Sequence, residues 1–188
     1  MAQETLETAG RCAHPSAGVA ARPRPRAEAG RPIIQVDTRE KMPLPIAAYD
    51  VEVVGLPVGD YGIKGFSDWN NPAFIIERKS LDDLVNSLTA DRDRFMREVE
   101  KLRQFRFRAL VIEAHAGEVE FRQYRSGVSP VAIFGTLRAL QVRCGLHVIW
   151  AKDSSRAARE VEGLVRVFVS GITKDYRRLL DQASTSAA

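Results

Sequence analysis

Hydrophobic and polar positions along the chain follow two different periods. Short apolar runs rich in β-branched residues predict six strands: Ile33 to Val36, Tyr49 to Leu56, Val58 to Ile63, Ala73 to Lys79, Ala109 to Glu113 and Leu146 to Trp150. Other stretches repeat every three or four residues. Leu81, Leu84, Val85 and Leu88 form one stripe of a helix that Ser80 caps. Phe95, Val99 and Leu102 line a second helix, from Asp91 to about Phe105. Ile133, Leu137, Leu140 and Cys144 line a third, opened by Ser129-Pro130 and stopped by Gly145. Val161, Leu164, Val165, Phe168, Val169 and Ile172 mark a last helix, to about Tyr176. Gly117 to Arg125 matches neither period. Strands come first, then helix and strand alternate, which predicts an α/β domain: one mixed sheet with helices on both faces. The short connection between the third and fourth strands predicts an antiparallel hairpin that brings Asp60 near Glu77.

The ends differ in composition. Residues 1–31 are rich in Ala, Gly, Pro and Arg without an apolar period, so a disordered tail is expected there. Its Arg22-Pro-Arg-Pro-Arg26 is held extended by the prolines, either solvated or brushing a phosphate backbone. The expected division is tail 1–31, one domain 32–180 and tail 181–188. No apolar run approaches the roughly 18 residues of a membrane span. No secretory signal is evident. Cys12 and Cys144 form neither a metal knuckle nor a disulfide framework, so a reducing cytoplasm is expected. A net charge of +4 is only mildly basic. Arginine outnumbers lysine, which suits phosphate contacts, although a high-GC genome explains it equally well.

Chemistry concentrates in Phe74 to Asp83, FIIERKSLDD, where a strand meets a helix. Side chains alternate along a strand, so Glu77 and Lys79 share one face and Arg78 takes the other. Acids stand at other strand ends too: Asp37 and Asp60, with Glu40 and Asp83 just beyond strands. Gathered at one edge of a sheet, such carboxylates repel, and a divalent cation relieves the repulsion. Mg²⁺ keeps several waters, so two or three carboxylates suffice. Lys79 can orient a water or stabilise charge on phosphorus, which makes this a constellation for phosphodiester hydrolysis. Each residue also has a plainer use. Asp83 can cap its helix, Asp60 can be a turn residue, and Glu40 can pair with Arg39 or Lys41 on the surface. Arg94, Arg97 and Lys101 form one basic face of the second helix, placed for salt-sensitive DNA contacts.

Three motifs carry a resemblance: VDTRE at 36–40, GDY at 59–61 and ERKSLDD at 77–83. Together with Arg94-Phe95 they resemble the XPF/Mus81-type nuclease domain, over roughly residues 33 to 175. The resemblance implies a restriction-endonuclease-like (PD-(D/E)xK) fold and cleavage of DNA at flaps, forks or junctions, in repair or recombination. It implies Mg²⁺ as cofactor, with Mn²⁺ as a substitute. Asp60 and Glu77 would hold the metal, assisted by Asp37 and Glu40. Lys79 would serve the attacking water, and Arg78, Asp83 and Arg39 would order the site or grip phosphate.

Family members commonly continue into a tandem helix-hairpin-helix domain, which this sequence does not show. Branch selectivity is therefore open, and any homodimer is expected to form through the nuclease domain, by the helices at 130–144 and 155–173. A bacterial or phage source is expected. The alternative is a non-catalytic, nuclease-like DNA-binding subunit of a larger complex.

Overall fold

The computed structural model describes residues 31–186, so nearly all of the expected N-terminal tail lies outside the described residues. Six strands form one sheet: β1 (Ile33–Asp37), β2 (Asp50–Val54), β3 (Tyr61–Ile63), β4 (Phe74–Ser80), β5 (Phe107–Glu113) and β6 (His147–Trp150). Their order across the sheet is β2-β1-β3-β4-β5-β6. The β1–β2, β4–β5 and β5–β6 pairs are parallel, whereas β3 runs antiparallel to both of its neighbours. This one reversal decides where the acids go. The ends of β1 and β4 reach the same rim, and β3 starts there between them. The predicted β3–β4 hairpin is thus present, with Tyr61 opposite Ile76.

Both faces of the sheet are covered, as a nearly parallel sheet requires. On one face, α1 (Leu81–Leu88), α2 (Arg92–Leu102), α3 (Ala116–Glu120) and α4 (Pro130–Cys144) pack over Ile75, Leu110 and Ile112. On the other, α5 (Ser154–Ser186) lays Ala157, Ala158, Val161 and Val165 against Val36, Tyr61, Ile76 and Val111. The alternation of β4 explains the split, since Ile75 belongs to one core and Phe74 and Ile76 to the other.

Helix ends follow local chemistry. The Ser80 hydroxyl caps α1 by accepting from the Asp83 N–H, and Ser129 caps α4 by accepting from the Ala132 N–H, with Pro130 at the first helical position. Gly145 ends α4 in the left-handed region at φ 61°. The short helix α3 begins at Ala116 and covers the first part of the unassigned stretch from Gly117 to Arg125. Two predicted ends move. Helix α2 stops at Leu102, and Phe105 is buried from a turn beyond it. Helix α5 runs to Ser186, past Tyr176 and through the region expected to be a tail from 181. From Thr173 its described side chains are exposed, so no apolar stripe marks that length.

Candidate active site

The C-terminal rim of the sheet is assembled by backbone pairing. The Asp60 N–H donates to the Ile76 carbonyl at 2.9 Å, and the Asp37 N–H donates to the Asp60 carbonyl at 2.9 Å. Gly59 makes this close approach feasible. Its φ is 73°, and a Cβ placed there would lie 2.9 Å from the Ile76 carbonyl oxygen and 2.8 Å from the Ile75 side chain. The glycine of the GD pair thus lets Asp60 sit directly against β4.

Glu77, Lys79 and Asp60 come together. Lys79 donates from Nζ to Glu77 Oε1 at 2.7 Å, and its ammonium lies 5.1 Å from the centre of the Phe95 ring. Asp60 Oδ2 accepts from the Arg78 N–H at 2.7 Å. These side chains line a cleft of about 300 Å³ together with Arg39, Glu40, Asp83 and Arg94.

The electrostatics show a surplus of negative charge out of water. Burial pushes the Glu77 carboxyl above the usual carboxylate range, and Asp60 adds to it. Burial also raises Asp60, against the lowering hydrogen bond from Arg78. Burial alone would lower the Lys79 ammonium, but Glu77, Glu98 and Asp60 outweigh it, so that group is raised. All three groups shift towards holding protons, as carboxylates crowded together out of water around one ammonium do. Glu77 is 4% exposed, and its Oε2 is a buried acceptor that no donor satisfies among the described residues. A hard divalent cation fits such a donor set. Among the described residues, no three His, Cys, Asp or Glu side chains converge to hold an ion by themselves.

The other two expected ligands, Asp37 and Glu40, have partners of their own. Asp37 is 1% exposed. Its Oδ1 accepts from Arg39 Nε at 2.5 Å and from the Arg39 N–H at 2.8 Å, and its Oδ2 accepts from the Leu56 N–H at 2.6 Å. The carboxylate thereby fastens two loops and does not line the cleft. Glu40 reaches the cleft, yet both its oxygens face Arg78 Nη1 at 3.3 Å, and Oε1 also accepts from the Met42 N–H. Arg78 points to the opposite face from Glu77, as alternation predicts, and donates from Nε to Glu113 at 2.6 Å. It ties loop 38–49 and β5 to β4. Asp83 lines the cleft, and its Oδ2 accepts from the hydroxyl of Ser80, the residue that caps α1, at 2.6 Å.

Two groups lie beside the cleft. Arg39, Lys79, Arg94, Arg97 and Lys101 border an adjoining cavity of about 400 Å³, so the basic face of α2 continues the cleft. Glu98 borders the same cavity and was missed by the sequence reading. Its charge acts on Asp60, Glu77, Lys79 and Arg39. One signal was available: Glu98 lies four residues after Arg94 and one after Arg97, inside the turn that carries the basic face.

A family model described as the ERCC4 domain matches residues 36–164. Among solved structures, XPF from Aeropyrum pernix in complex with DNA is 25% identical with a TM-score of 0.59, covering 75% of this chain and 66% of that one. The structure of XPF from Aeropyrum pernix without that description of DNA is also 25% identical at a TM-score of 0.59, covering 72% and 60%. The chain thus spans just under two thirds of the longer-matched of these relatives. No curated protein matches. The mixed six-stranded sheet with helices on both faces is the restriction-endonuclease-like fold that the motifs led us to expect.

Proposed function

The chain belongs to the ERCC4-domain family, and from that premise we propose that it is a divalent-metal-dependent DNA endonuclease that hydrolyses phosphodiester bonds at branched DNA. The observation that carries the proposal is Glu77 Oε2, buried and without a donor, on the same rim as Asp60. Asp60 and Glu77 would hold a Mg²⁺ ion, or Mn²⁺ in its place. Bound there, the ion supplies Lewis-acid polarisation and an acidified water.

The chain's own groups do the rest. Lys79 is held between Glu77 and the Phe95 ring, and presents a fixed positive charge where charge builds on phosphorus. Arg39, with a side chain 67% exposed and anchored by Asp37, is placed to grip a phosphate. Arg94, Arg97 and Lys101 track the backbone of the same DNA segment. Arg78, paired with Glu40 at the cleft and with Glu113 on β5, orders the rim. Asp83 holds the strand-to-helix junction.

The gathered Asp60, Glu77 and Lys79 argue against a non-catalytic subunit, because charges drawn together around a buried carboxylate are costly to keep without chemistry. A homodimer through this domain is part of the proposal. Helices α4 and α5 spend most of their apolar face on the core, but leave Val131, Val142 and Val167 exposed. The deciding experiment incubates pure protein with labelled flap, fork, four-way junction and linear duplex, in Mg²⁺, Mn²⁺ or chelator. Metal-dependent nicking favouring branched DNA is expected. No nicking in either metal, or near-normal nicking by Glu77→Ala, would sink the proposal.

A further inference from the structure

A second basic cavity lies away from the cleft. It encloses about 690 Å³, within the usual range for ligand sites, and is lined by Arg31, Tyr49, Arg159, Glu162 and Arg166 among others. Arg31 lies over the Tyr49 ring at 5.7 Å, and the charges of Arg166 and Arg31 both reach the Tyr49 hydroxyl. None of the three guanidiniums forms an ion pair among the described residues. The one acid in the lining is already used: Glu162 Oε1 accepts from the Ala47 and Ala48 N–H groups at 2.7 Å each. Arginines along a helix are usually just solvated. Here they come from two separate places, the segment just before β1 and α5, and converge on a concave surface with an aromatic wall.

Its position says what it could contact. Arg31 precedes β1, whereas Asp37 ends it, so the cavity opens near the rim opposite the cleft, about 20 Å away at the usual rise of a strand. It also lies on the α5 face, whereas Glu77 and Lys79 look towards α1 and α2. A straight duplex laid on the cutting rim does not turn that corner, but a second arm leaving a branch point does. We propose that this cavity takes backbone phosphates of a second DNA arm, gripped by Arg31, Arg159 and Arg166. The proposal rests on the endonuclease reading above and names the part of the chain that would recognise a branch.

The test uses the full chain with Arg159→Ala/Arg166→Ala, checked for an unchanged melting temperature. Fluorescence anisotropy compares a labelled flap with a short linear duplex across a salt series, with Ca²⁺ in place of Mg²⁺. The expected result is about tenfold weaker flap binding, with a salt slope lower by about two, roughly one per phosphate. Linear duplex binding should change by less than about twofold, since the cleft contacts stay. Unchanged flap binding, or an equal loss on both DNAs, overturns the second-arm assignment. So does a cavity that takes free phosphate instead, seen as wild type stabilised by inorganic phosphate while the variant binds flap normally. If wild type bound neither DNA, the endonuclease reading would fall first. If wild type cut the flap and the variant cut and bound it equally well, only this inference would fall.

Discussion

The N–H of Arg78 donates to Asp60 Oδ2 at 2.7 Å, so one oxygen of Asp60 is fixed by the backbone of the strand that carries Glu77. An amide at position 60 can keep that bond while shedding the buried charge. Asp60→Asn should therefore abolish cutting. In chelator it should also melt a few degrees higher, since relieving a raised carboxyl is worth on the order of 1 kcal/mol. Calorimetry with and without Mg²⁺ checks both halves. A variant that melts lower in chelator would show that the charges are not crowded.

Gly59→Ala tests the close approach behind Asp60. A methyl there meets the Ile76 carbonyl at 2.9 Å and must occupy a positive φ, so Asp60 is pushed off the rim. Activity should fall by about two orders of magnitude, as misplacement near reacting atoms does. Helical circular dichroism should stay unchanged. Full activity in this variant would mean that Asp60 does not need to touch β4.

Glu98 adds negative charge beside Asp60 and Glu77. Glu98→Gln should raise the Mg²⁺ concentration for half-maximal cutting by about tenfold, equivalent to about 1.4 kcal/mol. The rate at saturating Mg²⁺ should change little. A Mg²⁺ titration separates the two effects. An unchanged midpoint would leave Glu98 as a partner of the neighbouring arginines.

Asp37 offers a pH test. Burial pushes its carboxyl up, but the guanidinium and N–H of Arg39 and the N–H of Leu56 outweigh it, leaving it below the usual range. A carboxyl lowered on folding contributes stability that is complete above its unfolded value, about 3.9, and is lost as pH falls through the folded value. Asp37→Asn should cost about 1–3 kcal/mol at neutral pH. It should also flatten the fall of melting temperature below pH about 4. Equal acid limbs in variant and wild type would contradict the assignment.

Much of this was legible from the residues, for definable reasons. Periodicity located all six strands and the faces of α1, α2, α4 and α5, because apolar burial sets those periods. The GD and ERK motifs placed Asp60, Glu77 and Lys79, since a hairpin and strand alternation were enough to bring them together. The hydrogen-bond partners of Asp37 and Glu40 were not legible. Which donor a carboxylate meets depends on loops, here Arg39, Leu56 and Met42, whose paths no period encodes. Glu98 was hidden because a charged residue on a solvated helix looks the same whether or not a cleft lies beside it. The outer part of α5 was hidden because exposed helix leaves no apolar stripe.

Strand β4 ends at Ser80 and helix α1 begins at Leu81, with no residue between them. Glu77 and Lys79 are thus joined to α1 without an intervening loop, so a shift of α1 would carry both with it. Across the cleft stands segment 38–49, which bears Arg39 and Glu40. That segment is tethered at its far end through Ala47 and Ala48 to Glu162 of α5.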